Sequence, residues 1–146
     1  MEVEIKIDPN CTKTKVTIVT HEVTDEINEL VRKISESAPS VFVGFYDDNA
    51  FVLDLEKVIR FYTAEQKVYA VTEEGEYTVR LRLYELEERL LSKRFVRISN
   101  SEIINLKQIE GFDLSFTGTI CVKFRDRSTS FVSRRYVPKV KKVFGL

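Results

Sequence analysis

Three polar segments hold the side chains in this sequence suited to reading another molecule through hydrogen bonds: Thr63-Ala64-Glu65-Gln66-Lys67, Arg97-Ile98-Ser99-Asn100-Ser101 and, opening the last helix, Ser133-Arg134-Arg135. Asn and Gln can pair bidentately with adenine, and Arg with guanine, in the major groove. Hydroxyls, lysines and a helix start suit phosphates. Lys67, Ser99, Ser101, Ser133, Arg134, Lys139, Lys141 and Lys142 are the expected phosphate contacts. Each segment alone has a plainer reading, Arg134-Arg135 as a solvated pair and Asn100 as a turn residue. Together, on the basic part of the chain, they favour nucleic acid as the partner.

Catalytic chemistry has little to work with. His21 is the one histidine, beside a helix start, where a surface or capping role is the ordinary one. Cys121 sits mid-strand between Ile120 and Val122, and a buried inert thiol is expected. Asp47-Asp48 reads as a solvated turn, since no further spaced carboxylates accompany it. No GxGxxG, P-loop or GxSxG occurs. Glu85, Glu87 and Glu88 read as the wet face of a helix. The expectation is therefore no catalytic residue, no metal and no cofactor.

The 146 residues, 43% hydrophobic and 32% charged, suit a globular chain that buries roughly 70% of its unfolded surface. Cys11 and Cys121 lie far apart with no CxxC, which excludes a disulfide framework and a cysteine zinc site. Met1-Glu2-Val3-Glu4 lacks the basic and apolar blocks of a signal peptide, so a cytoplasmic location is expected. Net charge is zero, but its distribution is uneven. Residues 1–54 carry five basic against eleven acidic side chains, a net of −6, and residues 55–146 carry the opposite excess. Residues 123–142 hold eight basic side chains against Asp126 alone, a net of +7. Such asymmetry points to a polyanion partner. A second reading of the same charge is a non-enzymatic protein-interaction module whose basic C-terminal face docks an acidic partner.

Periodicity supplies the elements that must position these loops. Val3-Glu4-Ile5-Lys6-Ile7 alternates with period two, and Lys15-Val16-Thr17-Ile18-Val19-Thr20 is β-branched; both read as strands around an Asp8-Pro9-Asn10 turn. Val23, Ile27, Leu30, Val31 and Ile34 form one stripe of a helix, with Thr24 as its cap and Ser37-Ala38-Pro39-Ser40 at its end. Residues 41–46 read as a third strand. Residues 1–49 are thus expected to form a small β-β-α-β unit for dimerisation or sensing. Its apolar stripe needs another surface, and a homodimer is favoured over docking on the rest of the chain. Residues 50–146 read as antiparallel hairpins, with strands at 51–53, 58–62, 67–72, 77–80, 95–98, 109–116, 119–124 and 129–132. Leu83, Leu86 and Leu90 mark a helix, with Glu85 and Arg89 as an outer pair. Residues 99–108 read as a loop or single turn. Residues 133–144 read as a helix capped by Ser133 and broken at Pro138. The fold class is mainly β, or α+β.

Phe95-Val96-Arg97-Ile98-Ser99-Asn100-Ser101-Glu102-Ile103-Ile104-Asn105-Leu106, followed by Ser133-Arg134-Arg135-Tyr136-Val137, resembles the signature of the LytTR DNA-binding domain. The spacing of these blocks and the stretch 77–90 fit it too, so the resemblance covers about residues 50–146. It implies an elongated antiparallel β DNA-binding domain whose loops enter successive major grooves of double-stranded DNA, commonly at repeated half-sites. Members are bacterial transcription regulators. By position, the family's base-contacting residues fall on Gln66, Asn100 and Arg135. Members often have histidine where Gln66 stands, histidine or arginine where Ser99 stands, and an uninterrupted helix where Pro138 stands. Many carry a receiver domain in place of the short unit here. The resemblance therefore implies a standalone regulator, of a kind commonly encoded beside a small membrane protein that restrains it.

Overall fold

The computed structural model describes residues 1–37, 42–90 and 94–146. The chain divides into two units, Met1–Ser35 and Glu36–Leu146.

In the first unit the helix expectation holds and the strand expectations do not. α1 spans Asp25–Ser37. Thr24 Oγ1 accepts the Ile27 N–H at 3.3 Å, and Asp25 and Glu26 occupy the first turn, where the helix dipole favours acids. The end expected at residues 38–40 lies outside the described residues. Asp8 makes the predicted turn, its Oδ1 accepting the Asn10 N–H and its carbonyl the Cys11 N–H, both at 3.0 Å. No strand forms at residues 3–7 or 15–20. The β-β-α-β unit is thus corrected to an irregular segment and one helix. Alternation makes a strand possible, but a strand also needs a partner for its N–H and C=O groups, and among the described residues neither segment has one. Val3, Ile5 and Ile7 are 84–87% exposed as a result.

The third expected strand exists as β1 (Phe42–Tyr46), and it belongs to the second unit. It pairs with β2 (Asn49–Leu53) through a two-residue turn at Asp47-Asp48, whose φ values of 47° and 61° suit a type I′ hairpin. β1 also meets β5 (Gly75–Val79) at Phe45 and Thr78. A Cβ on Gly44 would lie 2.6 Å from Leu53 Cδ1 and 2.7 Å from Tyr77 Cβ, so only glycine permits this approach. β3 (Arg60–Ala64), β4 (Lys67–Thr72), β6 (Phe95–Ser99) and β7 (Glu102–Asn105) complete a seven-stranded antiparallel sheet, ordered β2-β1-β5-β4-β3-β7-β6. β8 (Ile109–Asp113), β9 (Ile120–Phe124) and β10 (Thr129–Val132) form a second sheet, ordered β10-β9-β8.

Two cores hold the sheets. α2 (Leu83–Leu90) packs Leu83, Leu86 and Leu90 with Phe42, Phe61, Val68, Val79 and Ile103. Ile59, Val96, Ile98 and Ile104 pack with Ile120, Val122, Phe124 and Val132 of the small sheet and Val140 of the C-terminal helix. β7 lies between the two cores and all four of its residues are buried. That is why the reading of residues 99–108 as loop is corrected here. A four-residue strand buried on both faces shows no alternation, and its ends are polar. Those ends are paired internally. Glu102 Oε1 accepts from Arg60 Nη1 at 2.9 Å, and Asn105 Nδ2 donates to the Val58 carbonyl at 2.8 Å.

The C-terminal segment breaks as Pro138 predicts. A 3-10 turn, Arg134–Tyr136, runs into α3 (Val137–Phe144), with Pro138 in its first turn, where its missing N–H is harmless. Ser133 precedes the turn without a side-chain capping bond; its N–H donates instead to the Ile98 carbonyl at 2.9 Å.

Candidate nucleic-acid interface

The three polar segments meet at one end of the large sheet. β3 and β7 are antiparallel, so the tip that follows β3 lies beside the tip that precedes β7. The Thr63 N–H donates to the Ser101 carbonyl at 2.9 Å across that junction. The 3-10 turn joins from the other side through the Ser133–Ile98 bond and through Tyr136, whose hydroxyl lies 3.2 Å from Asn100 Oδ1. Asn100 therefore sits in the middle of a row running from Gln66 to Arg135.

Gln66 occupies the second position of the two-residue β3–β4 turn. Glu65 and Gln66 have φ values of 51° and 64°, the left-handed pair that a type I′ turn requires. Neither is Gly, Asn or Asp, so the backbone carries strain at this tip. Gln66 and Lys67 are both exposed.

The β6–β7 tip is held more firmly. Arg97 Nε donates to the Ser99 carbonyl at 2.9 Å, its Nη2 to the Asn100 carbonyl at 2.6 Å, and its Nη1 to Glu87 Oε2 on α2 at 2.9 Å. Ser99 Oγ accepts the Ser101 N–H at 3.2 Å. The Ser99 and Ser101 hydroxyls face each other at 3.3 Å. Arg97, Glu87 and Tyr136 are the residues of this site that sequence reasoning passed over. Glu87 is not simply a solvated helix face: it anchors Arg97. Glu85 also turns inward along its helix, Oε1 accepting the Arg82 N–H at 3.3 Å. The available signal was Arg97 itself, a charged residue flanked by Val96 and Ile98 within a strand.

Arg134 and Arg135 are exposed at the start of the 3-10 turn. A Cβ on Gly118 would lie 3.5 Å from Arg134 Nε, which places the β8–β9 loop beside that arginine. Lys139 is exposed in the first half of α3. Lys141 and Lys142 lie in its last turn, where cations also complement the helix dipole. The structure thus gathers Gln66, Lys67, Ser99, Asn100, Ser101, Ser133, Arg134 and Arg135 at one end, and sets the lysines of α3 in a trail leading from it.

Cys121 is buried and Cys11 exposed. Among the described residues, no three His, Cys, Asp or Glu side chains cluster as metal ligands would, and no helix is long and apolar enough to cross a membrane.

The family model of the LytTr DNA-binding domain matches residues 48–145. Over 142 residues, 97% of this chain and 96% of the relative, the sequence is 30% identical to an uncharacterized HTH-type transcriptional regulator of Staphylococcus aureus strain NCTC 8325 / PS 47. A relative of the same description from the bovine strain RF122 / ET3-1 is also 30% identical over 142 residues, with the same coverage of both chains. The solved LytTr DNA-binding domain of a methyl-accepting/DNA response regulator from Bacillus cereus has the same fold. It superimposes with a TM-score of 0.71 at 24% identity, covering 75% of this chain and 100% of that one.

Proposed function

This chain belongs to the LytTR DNA-binding domain family and is by that membership a DNA-binding transcription regulator, and we propose that it reads the major groove through two hairpin tips and the start of its C-terminal helix. Gln66, Asn100 and Arg135 contact bases. Lys67, Ser99, Ser101, Ser133, Arg134, Lys139, Lys141 and Lys142 contact phosphates and set the register. The observation that carries this reading is the row itself: segments more than 30 residues apart in sequence are tied side by side by bonds of 2.9–3.2 Å, with basic and amide side chains outward.

The exposed apolar residues of the N-terminal unit favour a homodimer that binds repeated half-sites. The protein works in the cytoplasm as a regulator without catalytic groups, and a small membrane protein restrains it. The test is a mobility shift and footprint on the DNA upstream of its own coding sequence. Protection of one or two short sites, resistant to random competitor, is expected. Binding no tighter than to random duplex overturns the reading.

A further inference from the structure

We propose that Tyr136 and Arg97 are positioning residues that present Asn100 to DNA as a hydrogen-bond donor, so that this position selects guanine over adenine. The inference rests on the base-reading role given to Asn100 above and deepens it.

Arg97 fixes the backbone beneath Asn100. Its guanidinium spends two donors on the Ser99 and Asn100 carbonyls, at 2.9 and 2.6 Å, and a third on Glu87. Its planar fork makes these bonds together, which a lysine ammonium cannot copy. Tyr136 then fixes the side chain. An asparagine amide has one acceptor oxygen with two lone pairs and one NH2 with two donors. The Tyr136 hydroxyl donates to that oxygen at 3.2 Å. The oxygen thus already carries one hydrogen bond, while both donors of the NH2 remain for DNA. A bidentate reading of adenine needs both arms at once, accepting from N6 and donating to N7, and the bond from Tyr136 competes for that acceptor. Guanine presents two acceptors, N7 and O6, which an NH2 alone can serve. Tyr136 holds its place because its ring packs against the second core, and the residue before it is Arg135. The two base-reading elements are thus joined through one phenol.

The experiment uses the full-length protein and a series of duplexes in which each position of the footprinted site is varied to all four bases. Asn100→Ala locates the base pair Asn100 faces, as the position where discrimination is lost. At that position the unaltered protein should prefer guanine to adenine. Tyr136→Phe keeps the packed ring and removes only the hydroxyl; it should lower the guanine-to-adenine ratio about five-fold, the worth of one hydrogen bond, with the melting temperature unchanged. Arg97→Lys should flatten discrimination at the same position and leave that at the Arg135 position intact. A preference for adenine in the unaltered protein, or a guanine preference that survives Tyr136→Phe, overturns the proposal. If Asn100→Ala leaves every discrimination ratio unchanged, Asn100 reads no base, and the reading of the site falls together with this one. Loss of discrimination in Asn100→Ala with none in Tyr136→Phe overturns this proposal and leaves the base-reading role of Asn100 standing.

Discussion

Glu102 on β7 accepts a hydrogen bond from the Ser130 hydroxyl on β10 at 2.6 Å, and so joins the seven-stranded sheet to the three-stranded one. Its other oxygen pairs with Arg60. Asn100 and Ser101 immediately precede it, so the bond that joins the sheets also seats the β6–β7 tip. Glu102→Ala leaves Arg60 and Ser130 without a shared partner at a nearly dry site. It should cost about 2–3 kcal/mol of unfolding free energy, and Ser130→Ala about 1 kcal/mol, in urea denaturation. Equal stability of both variants with the unaltered chain would remove Glu102 as a structural joint.

Arg135→Ala should weaken specific binding by about 1–3 kcal/mol and binding to random duplex far less. A generic phosphate contact would lower both alike, and a structural role would lower the melting temperature. Competitive titration against random DNA, with a parallel thermal melt, separates the three.

Gln66 sits at a left-handed φ of 64° that glycine adopts freely. Gln66→Gly should raise stability by about 0.5–1 kcal/mol while weakening specific binding. Gln66→Ala should give the smallest loss of binding among the three positions proposed to contact bases. A variant that gains stability and keeps full discrimination would show that Gln66 touches no base.

Log affinity should fall linearly with log salt, at about −0.9 per phosphate contacted. Lys139→Ala should flatten that slope by about one, weakening specific and random DNA alike. A slope indifferent to Lys139 would place it off the phosphate path.

The phenol of Tyr62 is held above the ordinary tyrosine range, first by burial and then by the hydrogen bond it donates to Glu76 at 2.8 Å. The folded state therefore keeps this proton longer than the unfolded chain does. The contribution to stability is whole below the ordinary tyrosine range and is lost as pH rises through the raised value. Ultraviolet titration should find a late phenol signal that disappears in Tyr62→Phe and comes earlier in Glu76→Gln.

A chain beginning at Glu36 should bind a single half-site like the whole protein and lose its added affinity for a repeat, through lost effective concentration. Starting at residue 50 instead would remove β1 and with it Phe42, which meets Phe61 in the first core at 5.5 Å between ring centroids. Equal affinity of the shortened chain and the whole protein for a repeat would sink the dimerisation role of the N-terminal unit.

Local patterns were enough for most hairpins. β4 falls on residues 67–72 as its alternation predicts, because one face packs inward and the other stays wet. α2 follows from Leu83, Leu86 and Leu90, which all meet the same sheet face. β3 shows where local reading slips. Val58 and Ile59 look like its start, but a 3-10 turn at Leu55–Lys57 and the reach of Asn105 to the Val58 carbonyl delay the strand to Arg60.

Residue types and spacing by themselves determined the hairpin order, the break at Pro138, and the placing of Gln66, Asn100 and Arg135 in polar segments between elements. These depend on turn chemistry and side-chain periodicity, which act over a few residues. Only the tertiary structure decided that the three segments share one end of a sheet, that β1 belongs to that sheet, and that residues 3–7 form no strand. It also decided that Arg97, Glu87 and Tyr136 hold the central tip. Those facts depend on which strands find partners and on bonds between residues far apart in the chain, such as Tyr136 to Asn100. No local pattern encodes a partner 36 residues away.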